Sequence, residues 1–407
     1  MTPPAPRDHR TGRRRSSPER IFSVLFASVF SATLGLGIIV PLLPFYAESL
    51  GATGLWIGII FSGFAVSRAV FMPVIGRLSD RKGRRLFLLA GLLLYTLVSV
   101  AYISATSVET LTLVRMLHGF ASAMVIPVAM AYAADFSPEG REGKYMGTFM
   151  VSLFLGMGVG PLLGGVILDM AGMDAVFLSM AVFSAFALGI CALFLPEAGK
   201  RLTEGASLLQ TVRNRILRPV LFFRVAHAFG RGTLMVFVPL LVAAPALLPD
   251  GTIIHQGLSA TEIGIVISAS VLSTAFLQRS CGKLADRHNK VRLIVIGSVI
   301  DAVALITLPF LDGFLPILAL ALFFGFGSGI ALPAATSFVT IAGRETGQGA
   351  AMGAFNTAMS IGMITAPLIF GAIMDASGIF WVFMASAGVS ITNALLFYRM
   401  SVAAGIA

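Results

Sequence analysis

Apolar runs of about 20 residues, the length that crosses a bilayer as a helix, recur almost from end to end of this chain. They fall near 21–46, 55–79, 86–105, 109–134, 145–168, 175–195, 217–243, 261–284, 292–311, 314–341, 349–374 and 379–399. Within a membrane a helix is favoured because it satisfies its backbone polar groups inside one segment. The pattern predicts an all-α membrane protein of about twelve transmembrane helices. Charged residues make up 12% of the 407, against about a quarter in soluble domains, so a water-soluble core is excluded.

The net charge of +10 would suggest nucleic acid in a soluble protein, but its distribution argues otherwise. Arg7, Arg10, Arg13, Arg14, Arg15 and Arg20 precede the first run, and Arg81, Lys82, Arg84 and Arg85 follow the second. Lys200, Arg201, Arg213, Arg215 and Arg218 lie mid-chain, Arg287, Lys290 and Arg292 follow the eighth run, and Arg344 the tenth. The alternate loops carry Glu48, Glu109, Asp169, Asp174, Asp250, Asp312 and Asp375 and no Lys or Arg. Cytoplasmic loops are the Lys/Arg-rich ones, so the chain reads as a multi-pass inner-membrane protein with both termini cytoplasmic. Its surroundings are the lipid bilayer, not nucleic acid. The run from Ile21 is too long for a signal peptide and no small-residue cleavage site closes it. Cys191 and Cys281 lie in separate apolar runs and read as packing residues, not a disulfide.

One long polar interruption divides the runs into two sets of six. The domain reading is a disordered basic tail (1–20), an N-terminal bundle (21–196), a cytoplasmic linker (197–216), a C-terminal bundle (217–400) and a short tail (401–407). The bundles are repeats, offset by 206 positions. Ile57-Gly58-Ile59 matches Ile263-Gly264-Ile265, Ser62 matches Ser268, and Gly76, Leu78, Asp80 and Arg81 match Gly282, Leu284, Asp286 and Arg287. Pro127 matches Pro333, Gly156-Met157 matches Gly362-Met363, and Pro161-Leu162 matches Pro367-Leu368. Gly165, Asp169 and Gly172 match Gly371, Asp375 and Gly378. The register slips only ahead of the eighth run, where Val40-Pro41-Leu42-Leu43 pairs with Val238-Pro239-Leu240-Leu241. Two parallel six-helix halves can rock about a shared site and expose it to each side in turn. Each chain holds both halves, so it is expected to work as a monomer.

Gly76-Arg77-Leu78-Ser79-Asp80-Arg81-Lys82-Gly83-Arg84-Arg85 resembles the signature loop between the second and third helices of the major facilitator superfamily. Gly76 is placed to let its helix pack close to a neighbour, Asp80 to bond the N-terminus of a facing helix, and Gly83 to turn the chain. Arg84 or Arg85 is within reach of an acid, for which Asp135 is the candidate. With Arg81, Asp286 and Arg287 these residues read as a cytoplasmic latch. Arg115-Met116-Leu117-His118-Gly119 resembles the family's Arg-x-x-x-Gly motif, which the resemblance links to proton coupling. The run 156–165, with Gly156, Gly160, Pro161, Gly164 and Gly165, resembles the fifth-helix motif of the drug–proton antiporter branch, and 35–44 resembles the first helix of the twelve-span branch. Tetracycline-exporter-like relatives carry an acid near the position of Ala32, whereas this chain has none between Ile21 and Ala47.

Where that branch places an acid, this membrane holds arginines. Arg68, Arg115, Arg224 and Arg231 lie inside spans, and Arg224, His227 and Arg231 share one helical face. A central Arg costs about 3 kcal/mol on insertion scales, so these side chains must line a wet cavity or find partners. They are the candidate substrate-binding set, and Asp301 is a candidate neutraliser. The expected activity is proton-coupled export of drug-like or small organic solutes by alternating access. A second reading is a carrier of organic anions or anionic lipids, since buried positive charge is best offset by a substrate carboxylate or phosphate. A third is a transport-inactive membrane sensor. No H-E-x-x-H, G-x-S-x-G or P-loop motif is present, so an enzyme, a metal, a cofactor and direct ATP driving are not expected.

Overall fold

The computed structural model describes residues 18–137, 141–196, 214–243, 246–247, 253–255 and 257–406. The expected tail up to residue 17, most of the linker (197–213) and Asp250 lie outside the described residues. The chain is helical almost throughout. Helix α1 (Pro18–Ile39) is followed by the short α2 (Leu43–Ser49), then α3 (Gly54–Lys82), α4 (Arg84–Ala101) and α5 (Val108–Phe136). The stretch Glu142–Phe194 breaks at Gly172, with φ 79° and ψ 179°, into α6 (142–171) and α7 (173–194). The second half holds α8 (Leu217–Ala243), α9 (Ala260–Arg287), α10 (Lys290–Thr307), α11 (Phe314–Thr346), α12 (Gln348–Ser377) and α13 (Ile379–Ala403). A small antiparallel ribbon, β1 (Ala246–Leu247) with β2 (Ile253–His255), lies between α8 and α9.

Eleven continuous helical segments are long and apolar enough to cross a membrane, and one of them is the 142–194 stretch. Dividing it at Gly172 gives twelve crossings among the described residues. Gly172 and its repeat mate Gly378 both carry positive φ, 79° and 90°, and each reverses the chain between antiparallel helices. A side chain would be strained at either place. One expectation is corrected. The first apolar run does not continue as one helix to residue 46: a turn at 40–42 ends α1, and Pro44, which has no N–H to donate to a preceding turn, sits in the first turn of α2.

The two ends of the bundle carry opposite charge. Arg81, Lys82, Arg85, Arg287 and Arg344 mark a basic face, and Glu48, Asp169, Asp174, Asp312 and Asp375 an acidic face. Inside each half the helices pack by the repeat: α1 on α6, α3 and α4 on α5, and correspondingly α8 on α12, α9 and α10 on α11. The halves meet along two seams, α3 with α12 and α6 with α9.

The apolar cores show how those seams are set. Toward the acidic face a single core joins both halves, with Ile38, Ile57 and Phe177 in the same cluster as Phe237, Ile263 and Phe370. Toward the basic face there are two separate cores. One belongs to the first half around Leu25, Leu92 and Phe149, the other to the second around Phe223, Ile294 and Phe355. The halves are therefore fused at the acidic end and parted at the basic end.

Candidate functional site

The acidic-end closure is built by exchange between the repeats. The Asp375 carboxylate at the end of α12 accepts from the backbone N–H groups of Gly54 (2.6 Å) and Leu55 (2.8 Å) at the start of α3. The Asp169 carboxylate at the end of α6 accepts from the N–H groups of Ala260 (3.2 Å) and Thr261 (2.8 Å) at the start of α9, and from the Thr261 hydroxyl (2.6 Å). All these positions correspond under the 206 shift. A helix N-terminus offers unpaired N–H donors and a positive dipole end, so a carboxylate satisfies both. Glycines let the backbones touch: Gly165 lies against the Ala260 carbonyl, Gly371 against that of Gly54, Gly58 against Pro367 and Gly264 against Pro161. One turn deeper the Ser62 hydroxyl donates to the Ile364 carbonyl at 2.6 Å, and the Ser268 hydroxyl accepts from the Leu162 N–H at 3.0 Å.

Followed toward the basic face, both seams open. On α3 and α12, Gly58 and Pro367 are buried whereas Pro73 and Gly349 are exposed. On α6, Pro161 is buried and Val151 is 51% exposed. Gly76, Gly147, Gly282 and Gly349 all face open space. Among the described residues no close helix neighbour stands beside Gly76 in this state, contrary to expectation. A cleft of about 550 Å³ runs between the basic ends of α9 and α11, lined by Gln278, Asp286, Thr336, Ser337 and Arg344 among others.

The charged loop of the first half closes on itself. Gly83, at φ 105°, joins α3 to α4, and Arg84 is only 8% exposed. Its guanidinium Nη1 lies 2.9 Å from Asp80 Oδ1, an ion pair without hydrogen-bond alignment at that oxygen, and its Nε donates to Asp135. Arg85 donates to the Ala192 carbonyl at the end of α7, 2.7 Å away. Gly83, Arg84 and Asp135 therefore join the ends of α3, α4 and α5. Arg81, Asp286 and Arg287 are exposed, and Asp286 lines the cleft of its own half.

The arginines expected to line one cavity belong to two clusters, one in each half. In the first half Arg115 is 2% exposed, its guanidinium 5.2 Å from the Phe61 ring centre and 4.5 Å from that of Phe64. Its Nε and Nη1 have no hydrogen-bond partner among the described residues. Tyr102 lies beside it and shares a 3.0 Å hydrogen bond with His118 Nδ1, and Tyr95 stands edge-on to the His118 ring. Half-buried Arg68 is in electrostatic contact with Tyr95. In the second half Arg224 stands over Phe355 and donates to Met359 Sδ at 2.7 Å. His227 Nδ1 lies 3.5 Å from Asp301 Oδ2, the Ser328 hydroxyl donates to the same carboxylate at 3.2 Å, and the Arg231 charge is near enough to act on it, without a direct ion pair. Tyr95 and Tyr102 were not singled out by sequence reasoning, and His118 entered only as a member of the Arg115–Gly119 motif. The signal of the two tyrosines was proximity to Arg115, which only folding creates.

The α6 motif serves both neighbours of that helix. Gly156, Gly160 and Gly164, at intervals of four, lie against α1 at Thr33, Gly37 and Ile38, while Gly158 and Gly165 face Leu272 and Ala260 of α9. Small residues are what close helix crossings in membranes require.

Twelve crossings in two sequence-related halves, fused at one face and parted at the other about internal charged clusters, define a two-bundle membrane transporter. The family model of the Major Facilitator Superfamily matches residues 25–246 and again residues 220–404. The chain belongs to that superfamily. It is 31% identical over 394 residues to an uncharacterized MFS-type transporter of Methanocaldococcus jannaschii, covering 93% of this chain and 98% of the relative. It is 27% identical over 364 residues to the quinolone resistance protein NorA of Staphylococcus aureus, covering 86% and 89%. Among solved structures, a bacterial homolog to the human lysosomal transporter Spinster, in an inward-facing and unoccupied conformation, superposes with a TM-score of 0.81 at 14% identity. That match covers 96% of this chain and 98% of the other. The likeness to drug-efflux members agrees with the resemblance of the 156–165 motif.

Proposed function

We propose that the chain is a proton-coupled exporter of drug-like or small organic solutes that works by alternating access. In this reading it acts as a monomer, with its basic face and both termini in the cytoplasm. The observation that carries the reading is the single core at the acidic face against two cores at the basic face. A transporter that rocks must close one end with contacts it can give up. The exchanged carboxylate caps are of that kind, polar and local, at the outer edge of the apolar core that the two halves share there. In this reading the parted basic end is the cytoplasm-open state. In the opposite state the basic ends of α3 and α12 meet, Gly76 finds its close neighbour, and Asp80 turns from Arg84 to the N-terminus of α12. Asp286 and Arg287 serve the same role toward α6. The kinship with NorA supports drug-like solutes.

Carriage of organic anions has its own support. Arg115 buries a guanidinium with two unpartnered nitrogens, and a buried cation of this kind is best met by a ligand carboxylate or phosphate. Purified protein in liposomes under an imposed pH gradient separates the readings: ethidium, a cation, is expected to move faster than carboxyfluorescein, an anion. The reverse order selects the anion reading, and movement of neither under any gradient contradicts both.

A further inference from the structure

Asp301 is the one acidic residue, among those described in the twelve spanning helices, that sits at mid-length; the others lie in the first or last turns. It is buried, and its partners hold it loosely. His227 Nδ1 is 3.5 Å away, and the Ser328 hydroxyl is 3.4 and 3.2 Å from its two oxygens. Those contacts lie at or beyond the outer edge of hydrogen-bond range. The structural carboxylate Asp375, by contrast, takes two N–H donors at 2.6 and 2.8 Å. His227 is also buried, and its Nε2 has no partner.

The repeat shows that the fold does not need a carboxylate there. Under the 206 shift Asp301 corresponds to Tyr95 and Ser328 to Ser122, and those two side chains likewise face each other between α4 and α5. The same crossing is made by Gly91 over Met124 in one half and by Gly297 over Gly327 and Ala331 in the other. One half builds this helix contact with a phenol. The other spends a buried acid on it, beside a buried histidine that has Val29 as its counterpart in α1.

We propose that Asp301, with His227 and Ser328, is the group that takes up and releases the coupling proton. The inference rests on the exporter reading for its role in transport, though not for its titration. Uptake from water adds one proton to the carboxylate, forming an O–H bond and removing one negative charge. Release breaks that bond and returns the proton to water on the other side. The carboxylate left behind is balanced by Arg231, and His227 Nδ1 is placed to share the proton in transit. The groups facing the pair are Arg224 and Arg231 from α8 and the Ser328 hydroxyl from α11. Charged residues of α11, α12 and α13, namely Arg344, Glu345, Asp375 and Arg399, lie near the helix ends. Proton exchange therefore changes the charge of this cluster by one unit inside the membrane.

The test uses the full chain in lipid nanodiscs and protons alone as ligand. Infrared difference spectra between acidic and alkaline buffer are expected to show a protonated-carboxyl band that Asp301→Asn removes. His227→Gln and Ser328→Ala are expected to move its midpoint by about one pH unit, a tenfold change in proton affinity. In liposomes, Asp301→Asn is expected to lose ethidium efflux driven by a pH gradient by at least about tenfold while keeping ethidium exchange at equal pH, and Asp301→Glu to restore the driven flux. A band that persists in Asp301→Asn overturns the proposal whatever transport does. If wild-type protein moves no ethidium, the exporter reading fails while the infrared result still decides the proton site. If Asp301→Asn does not purify, unchanged midpoints in both His227→Gln and Ser328→Ala overturn it.

Discussion

The carboxylate of Asp375 in the second half caps a helix of the first, accepting the Gly54 N–H at 2.6 Å and the Leu55 N–H beside it at 2.8 Å. Asp169 repeats the arrangement in the opposite direction on α9. Each half thus holds the other by the same device. A side-chain cap is worth about 1 kcal/mol. The double change Asp169→Ala with Asp375→Ala, which removes both acceptors, is expected to shift the balance by roughly 30-fold toward the state open at the acidic face. Labelling of a cysteine at Ser62, which is 3% exposed at the closed seam, by a membrane-impermeant maleimide reads this out, and should speed up by a similar factor.

A steric change should do the same without touching charge. A Cβ on Gly371 runs into the backbone of Gly54 and comes to 3.1 Å from the Leu55 Cα, and one on Gly165 runs into Ala260. Gly371→Val is expected to hold the acidic end open and slow transport, while Gly349→Ala, which faces open space here, should leave that end closed. Labelling of a cysteine at Ser62 in both variants distinguishes them.

The network at the other face separates stability from function. Arg84 is buried, and removing a partner of a buried ion costs about 3–5 kcal/mol. Asp135→Asn is therefore expected to lower the thermal midpoint clearly. Asp80 is the partner proposed to exchange between states, so Asp80→Asn should lower that midpoint less and cut transport more. Equal effects on both quantities would remove the distinction drawn between the two acids.

How much of this was legible beforehand differs by level. The twelve spans, the two halves and the charged faces follow from hydropathy and Lys/Arg placement, which the bilayer enforces directly. The break at residues 40–42 did not, because an apolar run stays apolar through a turn that Pro41 and Pro44 impose. The matches Asp169/Asp375 and Gly165/Gly371 were visible in the 206 shift, but their meaning required seeing that the repeats exchange partners. The arginines were legible as buried and not as divided: Arg115 stacks on Phe61 and Phe64 of α3, while Arg231 turns to Asp301 of α10. No spacing rule carries that information, since each contact joins helices far apart in sequence.

Arg115 offers a check on the anion reading. The Arg115 guanidinium is held by the Phe61 and Phe64 rings, while its Nε and Nη1 have no hydrogen-bond partner among the described residues. Arg115→Met is expected to keep or raise the thermal midpoint, because an apolar side chain replaces a poorly compensated buried charge. On the anion reading it also loses carboxyfluorescein transport by at least about tenfold, the loss of a charge-assisted contact. A large drop in stability would instead make the residue structural.

The central claim is that the two faces open in alternation about the seams α3–α12 and α6–α9. Spin-label distances measure it directly, with one pair at Gly51 and Ala376 on the acidic face and another at Lys82 and Gly349 on the basic face. Wild-type protein is expected to show a short acidic-face and a long basic-face distance. The Asp169→Ala, Asp375→Ala variant should lengthen the first and shorten the second in the same sample. Distances that stay fixed, or that both lengthen, would contradict the account.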